Sequence, residues 1–215
     1  MNCTNKIFLL DFDGTLVDSM PYFVGLMLKI LDENNIKYGD DIVKIITPLG
    51  YRGTAEYFKT LGIEKSVEEM MADMQKYAHE GYTYKIGPKE NVIKTLNELK
   101  KGGARLNILT ASPHSALDPC LVRLGIFDLF DNVWSSDDFG TTKSDPLIYR
   151  LAAERIGVDI GEIIFVDDNV NAVRTAKESG MISYGIYDKT SEDYAEEMIK
   201  VSDRYVRDFS ELLTV

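Results

Sequence analysis

Short apolar runs recur along the chain and alternate with segments of helical period. Lys6–Leu10 (KIFLL), Arg105–Leu109 (RLNIL), Asn132–Ser135 (NVWS), Ile163–Val166 (IIFV) and Ile182–Ile186 (ISYGI) are rich in β-branched and large apolar side chains, the pattern of strands covered on both faces. Between them, Pro88–Lys101, Ser115–Leu124, Pro146–Ile156 and Asn169–Ser179 carry apolar residues three and four apart, several opened by Pro, Asn or Ser and closed by Gly. Strand followed by helix, repeated, predicts an α/β fold with a parallel sheet under helices. The alternation breaks after the first run: Ser19–Thr83 holds the helical patterns FVGLMLKIL, YRGTAEYFKTL and VEEMMADMQKYA and no strand. That stretch reads as an inserted helical unit, leaving through Leu16–Tyr22 and returning through Tyr82–Gly87, where Pro21, Gly81, Gly87 and Pro88 punctuate the pattern. The expected organisation is a core from residues 1–16 and 85–215 with residues 17–84 inserted.

Composition narrows the function. With 45% hydrophobic and 27% charged residues over 215 positions, the chain can bury a sizeable core. No apolar run approaches the roughly 20 residues needed to span a bilayer. The opening MNCTNKIFLL lacks a basic stretch followed by a long apolar segment and a small-residue cleavage site, so the expectation is a cytoplasmic protein with no membrane partner. Cys3 and Cys120 have no metal-type neighbours in sequence and read as free thiols. A formal charge of -11 opposes binding to nucleic acid, whose affinity for proteins comes from clustered Lys and Arg. It does not oppose a small phosphorylated metabolite, because a bound divalent cation inverts the local field. Nothing in the sequence demands a second chain, so a monomer is the default.

The candidate chemistry sits where the strands end. In an extended segment residues two apart share a face, so Asp11 and Asp13 of DFDGT project together beyond the first strand, at the edge where open α/β sheets bind ligands. Paired carboxylates invite a cation and separate in pKa, so that one serves as nucleophile or ligand while the other carries a proton. Gly14 permits a tight turn and Thr15 a hydrogen bond within it. Thr110 ends ILT with a hydroxyl that can donate to a phosphate oxygen; Lys143 precedes a helix opened near Pro146, where an ammonium can offset charge on a nucleophile and a phosphoryl group; Asp167 and Asp168 follow the apolar run IIFV. Each also fits a plain structural role, as strand-end turn, solvated lysine or helix cap. The set in this order, each member after a strand, is what the plain roles leave unexplained.

These motifs resemble those of the haloacid dehalogenase superfamily over nearly the whole chain: DFDGTLVDS as the first, Thr110 the second, Lys143 the third, and Asp167 with Asp168 the fourth. The resemblance implies a Rossmann-like core with an all-helical cap. It also implies attack on phosphorus by Asp11, acid and base work by Asp13, and a phosphoryl group held by Thr110, Ala111, Ser112 and Lys143. Mg²⁺ would be held by the Asp11 carboxylate, the Asp13 main-chain carbonyl and Asp168, with Asp167 close by, and hard oxygen ligands suit that ion independently. The expected reaction is Mg²⁺-dependent hydrolysis of a small phosphate monoester through an aspartyl phosphate.

The chain departs from the resembled pattern at Ser144, where many members have Pro, and at Ala172, where a second acid often stands. Asp13 disfavours dehalogenase and phosphonatase chemistry, whose motifs lack that second aspartate. The alternative is a phosphotransferase like β-phosphoglucomutase; Phe23 stands where such mutases carry a histidine in the first cap helix, which favours hydrolysis. A phospho-receiver domain uses similar groups but has no inserted cap, and a silent binding protein would not need every catalytic side chain. In the cap, Arg52 of GYR is either a substrate contact or a residue on a solvated helix face.

Overall fold

The computed structural model of the protein describes residues 5–46 and 49–214, so Cys3 lies outside the described residues. Contacts divide the chain into two compact units, Met1–Asp18 with Gly87–Val215, and Ser19–Ile86.

The first unit is built on six parallel strands among the described residues: β1 (Ile7–Leu10), β2 (Arg105–Thr110), β3 (Asn132–Ser135), β4 (Ile163–Asp167), β5 (Ile182–Ile186) and β6 (Arg204–Val206), in the order β3-β2-β1-β4-β5-β6. All four residues of β1 are buried, as are all five of β4. Such strands are covered on both faces and therefore apolar throughout. Alternate residues serve opposite faces: Ile7, Leu9, Leu109, Ile163 and Phe165 join one core cluster with Ile148, Tyr149 and Ala152 of α7 (Pro146–Ile156) and with Ala172 and Ala176 of α8 (Val170–Glu178). Each large apolar side chain so removed from water contributes about 1.5–3 kcal/mol before ordering costs. Both helices start on side-chain caps: Asp145 accepts from the Leu147 amide, with Pro146 in the first turn, and Asn169 accepts from the Asn171 and Ala172 amides. The remaining core helices are α5 (Val92–Lys101), α6 (His114–Arg123) and α9 (Ala195–Val201).

The register places the site. Leu10 aligns with Ile108 on one side and Val166 on the other, so Asp11 and Asp167, one position further on, and Thr110, two positions further on, emerge at one edge of the sheet. Order reverses at β1, since β2 and β3 run to one side and β4 to β6 to the other; such a switch leaves a crevice at the carboxyl ends of the strands.

The second unit is helical: α1 (Met20–Glu33), α2 (Ile42–Ile46), α3 (Gly50–Thr60) and α4 (Val67–Tyr84). The last of these starts on a reciprocal cap between Ser66 and Glu69 and packs against α1 and α3. Phe23, on α1, has its ring centroid 5.8 Å from that of Tyr82 and 6.1 Å from that of Tyr51. Tyr82–Tyr84, expected in the return connection, is the last turn of α4. Trp134 is partly buried against the core, edge-on to Phe139, and Cys120 is a free, buried thiol.

Candidate active site

Asp11 follows β1, its amide donating to the Val166 carbonyl at 2.9 Å, which holds the ends of β1 and β4 side by side. Asp167 ends β4 and Asp168 follows it. Asp11, Asp167 and Asp168 are all buried, and one carboxylate oxygen from each lies within 4.8 Å of the others. Lys143, in the loop before α7, sends its ammonium between them, donating to Asp11 Oδ1 and, at 2.8 Å, to Asp167 Oδ2. Its backbone is anchored from below, because the buried Tyr149 hydroxyl reaches the Lys143 carbonyl at 2.8 Å and the Ala172 carbonyl at 3.1 Å. The other Asp167 oxygen accepts from the Asn169 amide at 2.7 Å.

The turn after β1 supplies the second wall. Gly14 has φ +75°, and its amide donates to the Val17 carbonyl at 3.0 Å. Thr15, fully buried, places its hydroxyl 3.5 Å from Asp168 Oδ1. Asp13 is half-buried and accepts from the Ser112 hydroxyl at 2.5 Å. The Ser112 amide in turn donates to the Thr110 hydroxyl at 3.1 Å, so the loop after β2 is folded onto its own strand end and reaches the turn after β1 through Ser112.

Three carboxylates against one ammonium is an unbalanced charge in a buried place, and the titration behaviour follows. Burial pushes Asp11 up to about 7; Lys143 opposes the shift, and Asp167 and Asp13 reinforce it. Burial and then the charges of Asp167 and Asp11 hold Asp168 well above the usual carboxylate range. Burial disfavours the charge on Lys143, but Asp11 and Asp167 outweigh it and raise the ammonium above its ordinary range. Hard, buried oxygen donors with an excess of negative charge fit a small divalent cation such as Mg²⁺.

The structure thus brings together Asp11, Asp167, Asp168 and Lys143, and links Asp13, Ser112 and Thr110 by hydrogen bonds; Ala111 lies exposed between the latter two. Arg52 belongs to the helical unit, exposed on α3, with Glu68 3.7 Å away. Sequence reasoning missed three supports: Tyr149 beneath Lys143, the Asn169 amide on Asp167, and Lys89, whose ammonium meets the Gly14 carbonyl. Only Asn169 left a signal, as an Asn opening a helix.

The family model of haloacid dehalogenase-like hydrolases matches residues 5–180. A pyrophosphatase, PpaX, from Bacillus velezensis is 34% identical over 181 residues, covering 83% of this chain and 81% of that protein. Among solved structures, a predicted phosphoglycolate phosphatase from Haemophilus somnus superposes with a TM-score of 0.80 at 21% identity, covering 100% of this chain and 98% of that one. A structure from Thermotoga maritima assigned as a β-phosphoglucomutase gives 0.82 at 21% identity, covering 97% of each. At these identities the two structures speak for the fold alone.

Proposed function

The chain belongs to the haloacid dehalogenase-like hydrolases, and on that premise we propose that it is a Mg²⁺-dependent phosphatase acting on a small phosphate monoester through Asp11. The observation that carries this reading is the Lys143 ammonium shared by Asp11 and Asp167 at the sheet edge, with Asp13 two residues from the nucleophile. Relatives named as phosphatases support the reaction class.

Asp11, Asp168 and the Asp13 carbonyl would hold Mg²⁺ with Asp167 close by, and the bound ion supplies neutralisation of charge on the phosphoryl oxygens. Asp11 attacks phosphorus through the oxygen opposite the one Lys143 binds. As the Asp11–phosphorus bond forms and the ester bond breaks, Asp13 gives its proton to the leaving oxygen. Asp13, now a carboxylate held by Ser112, takes a proton from water, which attacks the aspartyl phosphate and frees Asp11. Lys143, Thr110, Ser112 and the Ala111 backbone orient the phosphoryl group, so catalysis is mainly positioning and charge stabilisation.

The test is steady-state phosphate release from pyrophosphate, phosphoglycolate, sugar phosphates, nucleotides and p-nitrophenyl phosphate, with Mg²⁺ or excess chelator. Metal-dependent release that vanishes in a folded Asp11→Asn variant is expected; undiminished turnover in that variant sinks the mechanism. Asp13→Asn should lose about 10²–10⁴ in rate, the usual worth of acid–base assistance. Interconversion of sugar-phosphate isomers without net phosphate release would move the assignment to the mutase.

A further inference from the structure

Lys89 lies in the segment that returns to the core ahead of α5, and no catalytic motif contains it. Its backbone amide donates to the Leu16 carbonyl at 3.0 Å, fixing it beside the turn that follows the nucleophile. Its ammonium then donates to three groups at once: the Gly14 carbonyl at 2.5 Å, the Tyr187 carbonyl at 2.8 Å and Asp188 Oδ2 at 2.9 Å. Three protons on one tetrahedral nitrogen are thereby all used. Asp188 is itself spoken for, since its other oxygen accepts from the Thr190 amide and hydroxyl.

The consequence falls on Gly14. The peptide plane before its α-carbon is held by the bond from its amide to Val17, and the plane after it by Lys89. With both planes fixed, the α-carbon is pressed to the Asp168 carboxylate, and the Asp13 carbonyl, part of the first plane, keeps one direction. We infer that Lys89 is a positioning residue for the catalytic turn, pinning the Gly14 carbonyl so that the Asp13–Gly14 backbone faces Asp168 in the geometry that receives Mg²⁺. The inference rests on the metal assignment above.

A cavity of about 350 Å³, lined in part by Thr15, Lys89, Tyr187 and Asp188, opens beside the ammonium. Water can therefore enter beside position 89 and Tyr187 when the ammonium is removed, so Lys89→Met is expected to fold with a loosened turn. Lys89→Arg separates position from charge: it keeps a cation next to Asp188, but a planar guanidinium cannot meet three acceptors that converge on one point. Asp188→Asn does the converse, removing the charge pair and leaving the ammonium on both carbonyls.

The measurements are calorimetric titration of the metal-free proteins with Mg²⁺, and kcat and KM on the best ester of the parent. Lys89→Met and Lys89→Arg should each weaken Mg²⁺ binding by about tenfold and lower kcat by a similar factor, in line with the usual loss of supporting partners around a metal, with KM changed less than about twofold. Asp188→Asn should stay within about threefold of the parent in both. Lys89→Arg indistinguishable from the parent overturns the inference, as does Asp188→Asn as damaging as Lys89→Met. If Lys89→Met does not fold, Lys89→Arg alone decides. A parent that binds Mg²⁺ but releases no phosphate would count against the phosphatase and leave the calorimetric comparison standing; a parent that binds no Mg²⁺ overturns both.

Discussion

Gly14 is in contact with the Asp168 carboxylate through its α-carbon: a β-carbon at position 14 would lie 2.6 Å from Asp168 Oδ2 and 2.8 Å from Oδ1. The close approach and the positive φ each disfavour any residue with a β-carbon, for independent reasons. Gly14→Ala should cost roughly 1–2 kcal/mol from the left-handed backbone alone, read by urea unfolding. It should also displace the Asp168 carboxylate and abolish Mg²⁺ binding. An alanine variant that binds Mg²⁺ like the parent would show that Asp168 is not placed by this contact.

Metal removal should be felt in stability, with a definite sign. Asp11 is pushed up to about 7 by burial, so in the metal-free protein its folded pKa stands above its unfolded one. A group raised in this way favours the fold below the ordinary carboxylate range and loses that contribution as pH rises through about 7. The Tm with chelator should therefore fall between about pH 5 and pH 8, and added Mg²⁺ should recover it increasingly as pH rises, expelling protons as it binds. A Tm gap between the two conditions that does not widen with pH would contradict this.

His114 gives a second pH signature with its own cause. Its Nδ1 lies 2.8 Å from Asp118 and its Nε2 2.9 Å from Asp138, and these two hydrogen bonds raise its pKa above the usual histidine value. The contribution is complete below the unfolded pKa and is lost as pH rises through the folded one. His114→Gln should lower Tm in mildly acidic buffer and leave it nearly unchanged at alkaline pH. A deficit independent of pH would assign the residue a packing role only.

Thr95 offers a stabilising change. Its hydroxyl on α5 is buried with no hydrogen-bond partner among the described residues, a desolvation cost of about 1–3 kcal/mol. Thr95→Val, of nearly the same shape, should raise stability by roughly 1 kcal/mol in denaturant unfolding. Destabilisation would mean that the hydroxyl is solvated.

What could be read from the sequence follows from how local its cause is. Strands β1, β2 and β4 announce themselves because burial on both faces demands nearly continuous apolar runs, and the candidate residues Asp11, Thr110, Asp167 and Asp168 sit at or just after their ends. Strand β6 is three residues long, Arg-Tyr-Val, with one buried side chain, and α2 spans five residues; neither is long enough to establish a period. Tyr82–Tyr84 continues α4 because Tyr82 is buried in the helical unit, which outweighs the glycine before it. Lys89 left no trace, since the carbonyls it binds come from residues 75 and 98 positions away, and an acceptor on the main chain has no residue type. Tyr149 reads simply as an apolar helix position, and its hydroxyl has use only once Lys143 and Ala172 are adjacent.

The two ends of the chain that flank the insertion are stitched to each other before they leave the core. Val17 bridges Pro88, and the Asp18 amide donates to the Gly87 carbonyl at 3.0 Å. A junction closed in this way behaves as the stem of a graft: the outgoing and returning chain are already paired inside the core unit. Joining Asp18 to Gly87 through a short Gly/Ser linker would then yield a minimal hydrolase core that retains Asp11, Asp13, Lys143 and Asp168, and foreign recognition modules could be transplanted onto the same stem.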